Sequence, residues 1–112
     1  MTERARMPRS GVSEIQVLAP TGTSQHIDVL ATSAATTNAV NTNVVRVSTT
    51  VDVCIAIGSA PTAIGASTAG AALFMPAGAV EYFKVNAGTD KVAAIAQDET
   101  TAGGVVYVDE MR

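Results

Sequence analysis

The residue types that most often carry catalysis are scarce in this chain, which has one cysteine, Cys54, and one histidine, His26. A cysteine nucleophile needs a neighbouring base, and nothing in the sequence places His26 beside Cys54. Cys54 falls within a strand-like run and is predicted to be a small buried or half-buried residue. His26 is predicted to face solvent or to lie on an edge strand, with a pH-sensitive contact as the alternative.

The spacing of the glycines and the pairs of acidic residues do not indicate a functional site either. Gly58, Gly65 and Gly70 flank a loop that lacks the lysine and the helix start of phosphate-binding loops. The acidic pairs at 98–99 and 109–110 lie in polar stretches, and solvated charge is the prediction for both. One cysteine and one histidine also exclude an internal disulfide and a structural zinc site made of protein ligands. The sequence therefore predicts no catalytic residue, no cofactor and no metal, in a protein that is not an enzyme.

The elements that must position these residues are predicted to be strands. The 112 residues include 20 Ala, 15 Val and 14 Thr, and apolar residues recur with a period of two. Turn residues separate seven or eight short strands about ten residues apart, which is typical of a sandwich, a jelly roll or a small barrel. The predicted strands span 14–18, 23–30, 43–49, 51–57, 71–75, 79–85, 91–97 and 105–108. Segment 31–42 stays open between a strand, a loop and one helical turn.

The clearest strand is 51–57, where Val51, Val53, Ile55 and Ile57 share one face and Cys54 lies on the other. Small, β-branched side chains of this kind predict a thin core between two sheets. Such a core has modest stability, because each buried Ala or Val removes less apolar area from water than Leu or Phe does. Residues 59–70 are mostly small residues of flexible types (Ser, Ala, Pro, Thr and Gly), and they are predicted to form a surface loop.

Charge divides the chain into two parts. Residues 1–9 carry Arg4, Arg6 and Arg9 against Glu3, a net of +2, whereas residues 10–112 carry four basic and nine acidic residues, a net of −5. Segment 1–13 has no apolar period and is predicted to be an extended arm, followed by a single β-domain over 14–112. The arm, with Met7 among its arginines, is predicted to order on an acidic partner surface, with a solvated tail as the alternative.

Nucleic acid and membranes are not predicted partners. The chain is acidic, with a net charge of −3, and a nucleic-acid-binding protein shows a basic patch instead. The sequence has no run of about 18 apolar residues and no secretory h-region behind its N-terminal arginines. Three of the four aromatic residues, Phe74, Tyr82 and Phe83, cluster in segment 74–83. Core anchoring is the preferred interpretation of this cluster, and an apolar contact surface is the alternative.

Several runs of strand and turn residues resemble the small all-β virion proteins of tailed bacteriophages, most of all their capsid decoration, or cement, proteins. The similar stretch covers about residues 44–112. It consists of six runs: VRV at 45–47, VDVCIAIG at 51–58, PTA at 61–63, LFMPAG at 73–78, EYFKV at 81–85 and KVAAI at 91–95.

The resemblance implies a small β-sandwich or jelly-roll-like barrel, made in the host cytoplasm, that sits on the capsid exterior and staples neighbouring major capsid subunits. It implies many copies on a symmetric shell, or a homo-oligomer, and no catalytic residues. The expected partner contacts are Arg4, Arg6, Met7, Arg9, Phe74 and Met75. The alternatives are a tail, connector or fibre-base subunit and, from another class, a small carbohydrate- or ligand-binding β-module, which needs exposed aromatic residues.

Overall fold

The computed structural model describes residues 18–65 and 73–112, which form eight strands and no helix. Period-two alternation of β-branched residues with polar ones explains why the segments are extended. The strands are β1 (Pro20–Asp28), β2 (Ala34–Ala35), β3 (Val44–Thr49), β4 (Val53–Gly58), β5 (Leu73–Met75), β6 (Val80–Lys84), β7 (Lys91–Ala96) and β8 (Val105–Met111). The all-β prediction is therefore confirmed for the described residues.

The strands form two antiparallel sheets of four strands each. Sheet 1 has the order β1-β8-β3-β6, and sheet 2 has the order β2-β7-β4-β5. The chain passes from one sheet to the other at every connection except that between β4 and β5. The sheets share one core, so the arrangement is sandwich-like.

The core lies between the inner faces of the two sheets and consists mainly of valine and alanine. Its fully buried strand residues are Val45, Val47, Val106 and Val108 from sheet 1 and Val53, Met75, Val92 and Ala94 from sheet 2. In β3 the burial alternates residue by residue, and in β4 Val53 and Ile55 face the core while Cys54 faces away from it. The predicted faces of these strands are confirmed.

One strand is longer than predicted, and the structure assigns one segment that the sequence left open. Strand β8 runs on through Asp109 and Glu110 to Met111, because it pairs with β1 on one side and with β3 on the other. Segment 31–42 is mainly loop with the two-residue strand β2 inside it, and Thr36 fixes this strand by accepting a hydrogen bond from the Val92 N–H at 3.3 Å. The predicted arm over 1–13 and most of the predicted strand over 14–18 lie outside the described residues.

The outer face of sheet 2 is covered by the segment 59–65. Ala63 packs there on a second small cluster that contains Cys54, Ala93 and Ile95. Residues 59–65 are irregular and lie on the surface of the molecule, so the prediction of a surface loop is confirmed for this part. The small side chains on the outer face of β4 and β7 leave room for the segment to lie flat on them. The outer face of sheet 1 has no comparable cover among the described residues.

Candidate functional site

The two residues that most often carry nucleophilic chemistry lie on opposite sides of the sandwich. Cys54 is buried on the outer face of sheet 2, whereas His26 is exposed on the edge strand β1 of sheet 1. The predictions of a buried cysteine and an edge-strand histidine are both confirmed. Within residues 18–65 and 73–112, no three His, Cys, Asp or Glu side chains come together in a metal-binding group.

Two side chains hold the segment 59–65 against sheet 2. Glu99 accepts a hydrogen bond from the Gly65 N–H at 2.7 Å, and the Ser33 hydroxyl accepts one from the Ala63 N–H at 2.9 Å. Glu99 does so from a left-handed backbone conformation with φ of 60°, which costs free energy in a residue other than glycine. Burial raises the pKa of the Cys54 thiol, and the negative charge of Glu99 raises it further.

We expect the substitution Glu99→Ala to expose Cys54. A hydrogen bond to a carboxylate contributes about 1.5 kcal/mol or more, so the thiol should react with a disulfide reagent about tenfold faster or more. Loss of the Glu99 charge also favours the reactive thiolate. The measurement is the rate of thiol labelling in the native protein, with Glu81→Ala, an exposed carboxylate elsewhere, as the control. Equal rates in all three proteins would mean that Glu99 does not hold the cover.

The acidic pairs 98–99 and 109–110 are predicted to be solvated, and this is right only for Asp98, which is exposed. The backbone N–H groups of Thr100 and Thr101 donate to Asp98 and, with the Thr101 hydroxyl, lower its pKa to about 2. Glu99 is half-buried and bonded to Gly65, and Glu110 is buried on the core side of β8 opposite Val45. Asp109 and Glu110 lie within β8, which is paired on both sides, whereas Asp98 and Glu99 lie in the turn after β7.

The outer face of sheet 1 is open and carries two tyrosines, a histidine and an ion pair. We call it the open face and define it by Tyr82, Tyr107, Arg46, Asp109 and His26. Strand register aligns His26 beside Tyr107 in one cross-strand row, and Asp109, Arg46 and Tyr82 in the next. Tyr82 is 54% exposed and Tyr107 is 44% exposed. Arg46 donates to the Asp109 carboxylate at 3.1 Å, so an ion pair lies between the tyrosines.

A second exposed surface runs along one side of the sandwich, where the edge strands β5 and β6 follow each other through a short turn. We call it the apolar edge and define it by Leu73, Phe74 and Val80, which are 50%, 49% and 47% exposed. Phe74 lies on the outer face of sheet 2, opposite Cys54, and Val80 lies on the outer face of sheet 1, opposite Ser48, so the apolar edge extends around the side of the sandwich. Charged side chains commonly protect sheet edges, and β5 carries none.

The three aromatic residues of segment 74–83 do not share one environment. Phe83 lies opposite Val45 and packs on the core, but Phe74 and Tyr82 are half exposed, so core anchoring is wrong for these two residues. The physical reason is that both lie on edge strands, on the faces that point away from the core. Met75 is fully buried opposite Val53, so its side chain is inaccessible to a partner, whereas that of Phe74 is accessible.

The arm residues expected to contact a partner, Arg4, Arg6, Met7 and Arg9, lie outside the described residues. Comparison with family models, with curated proteins and with solved structures gives no match. Across the described ranges, no helix has the length and apolar character needed to cross a membrane. The open face and the apolar edge are therefore the features from which a function is argued.

Proposed function

We propose that this chain is a structural virion protein that binds the outer surface of a phage capsid and staples neighbouring major capsid subunits. The observation that carries the proposal is the apolar edge, formed by Leu73, Phe74 and Val80. Half-exposed apolar side chains of this size on consecutive edge strands favour a protein partner that covers them. The resemblance of the runs within residues 44–112 to decoration proteins supports a capsid as that partner.

The basic N-terminal residues provide a second contact with the capsid in this proposal. The N-terminal residues have a net charge of +2 on a body of −5, and Arg4, Arg6 and Arg9 suit an acidic capsid surface. Binding at both the arm and the edge makes the attachment bivalent, and many copies on a symmetric shell add avidity. The proposal includes a jelly-roll connection of the sheets, a location on the capsid exterior and synthesis in the host cytoplasm.

The test is co-sedimentation of the full chain with expanded empty capsids of its phage. We expect binding at micromolar concentration that weakens about thirtyfold or more in Leu73→Ala/Phe74→Ala, since truncating an interface hot spot costs about 2 kcal/mol. Tyr107→Ala is the matched control, because it removes an exposed aromatic side chain from the open face and leaves the apolar edge intact. Absence of the chain from the pellet, also at low salt, argues against the proposal.

A tail, connector or fibre-base subunit is the alternative location, since such parts also use small β-domains. Labelling of the chain in intact particles separates the two, because a shell protein is present in many more copies than a tail-ring protein. Labels spread over the whole shell support decoration, and labels confined to one vertex or to the tail support the alternative.

A further inference from the structure

We infer that the open face is a binding site for a neutral oligosaccharide, used in addition to the contact with the proposed capsid partner. This face presents both tyrosines of the chain, Tyr82 and Tyr107, to solvent. One strand, β3, lies between the strands of Tyr82 and Tyr107, and the two residues are offset by two positions along the strand direction. In a regular sheet this places their Cα atoms about 12 Å apart. An extended ligand of several rings spans that distance, and a single small ring does not.

The ion pair between the tyrosines can form hydrogen bonds with the hydroxyl groups of a sugar. The Arg46 guanidinium has five N–H donors and the Asp109 carboxylate about four acceptor positions, and their mutual bond at 3.1 Å leaves most of these unused. Both side chains are partly exposed, and their bond keeps the donor beside the acceptor. A sugar hydroxyl both donates and accepts, so neighbouring donors and acceptors recognise it, while aromatic rings pack on the apolar face of the sugar ring.

Other ligand classes fit the open face less well. Nucleic acid and anionic lipid need an excess of positive charge, whereas Arg46 on this face is balanced by Asp109. A protein partner seated on the face has to desolvate this ion pair at its centre, and charged residues are depleted from the cores of protein interfaces. A neutral polyhydroxylated ligand avoids both penalties, because its hydroxyls replace the water around the pair.

The location of the face is compatible with the proposed capsid contact. Leu73 and Phe74 belong to sheet 2, and Phe74 lies on the face of that sheet that carries Cys54, opposite the open face. A partner that covers Phe74 from that side leaves Tyr107, in the interior strand β8 of sheet 1, accessible. Val80 alone of the apolar edge lies on the open face, in the cross-strand row of Tyr107. The inference uses other side chains than Leu73 and Phe74, which the capsid-binding test removes.

The composition of the chain provides a direct assay. There is no tryptophan, so the intrinsic fluorescence of the protein comes from Tyr82 and Tyr107, both on the open face. The full chain is titrated with soluble oligosaccharides of β-linked glucose, N-acetylglucosamine, xylose and mannose. We expect a saturable change in tyrosine emission with at least one of them.

Variants assign the binding to the face. Tyr82→Ala and Tyr107→Ala are each expected to raise Kd roughly tenfold, the size expected for loss of one aromatic contact. Phe74→Ala removes an exposed aromatic residue outside the face and should leave Kd unchanged, although it weakens capsid binding under the proposed function. No saturable change with any of these sugars, or a Kd that is the same in both tyrosine variants as in the unmodified chain, overturns the inference.

Discussion

Replacing Met75 by alanine is expected to lower the free energy of unfolding by about 3 kcal/mol, the middle of the range for truncating a buried methionine. Met75 is among the largest fully buried side chains, and it lies opposite Val53 in a core that otherwise consists mostly of valine and alanine. Neighbours this small and stiff cannot move into the space that the substitution leaves, so a cavity remains. The measurement is equilibrium unfolding in urea.

The neighbouring residue in the same strand is the matched control. Phe74 is larger than Met75, but it is half exposed and points away from the core, so Phe74→Ala should cost about 1 kcal/mol or less. The two substitutions therefore reverse the order that side-chain size alone predicts. If Phe74→Ala proves the more destabilising, the register of β5 against β4 is not the one described here.

The substitution Gly104→Ala is expected to cost about 3 kcal/mol, because backbone strain and overpacking act together at this position. Gly104 has a φ of +87°, and an added Cβ would lie 2.5 Å from a methyl carbon of Val51 and 3.0 Å from the Thr50 hydroxyl oxygen. The Gly104 carbonyl also accepts a hydrogen bond from the Val29 N–H at 3.1 Å, which joins the end of β1 to the start of β8. A shift that relieves the contact weakens this bond.

Two other glycines separate the causes of this effect. Gly22 has a φ of +91° with nothing within 4 Å of an added Cβ, so Gly22→Ala measures strain alone, about 1 kcal/mol. Gly58 has neither a positive φ nor a close neighbour, so Gly58→Ala should change stability by about 0.5 kcal/mol or less. Equal losses at Gly104 and Gly22, measured by urea unfolding, would show that contact with Val51 contributes nothing.

The period-two pattern was sufficient to predict most strands and their faces. In β3 the alternation of Val45 and Val47 with Arg46 and Ser48 identifies the core side, because a strand inside a half-buried sheet has one apolar face. Strand ends were less predictable. The chain from Asp109 to Met111 contains two acids and looks like a polar tail, but pairing with β1 and β3 on both sides extends β8 through it.

The surfaces that bear on function were the least predictable part. Phe74 and Met75 are adjacent and similarly apolar, and their opposite burial depends on β5 being an edge strand with Met75 facing the core. The pairing of Arg46 with Asp109 joins residues 63 positions apart in the chain, which no local pattern indicates. By contrast, the position of Cys54, on the alternate face of β4, followed directly from spacing.

The amino-acid sequence alone determined the all-β class and which side of the central strands faces the core, because both depend on local spacing of small β-branched residues. It also determined the scarcity of groups suited to catalysis, since composition limits which side chains are present at all. Only the tertiary structure decided which sheet face is covered and which stays open. That choice depends on strand order, which assigns Phe74 to an edge and Tyr107 to an uncovered face. Strand order in turn arises from contacts between residues distant in the chain, and these leave no local pattern in the sequence.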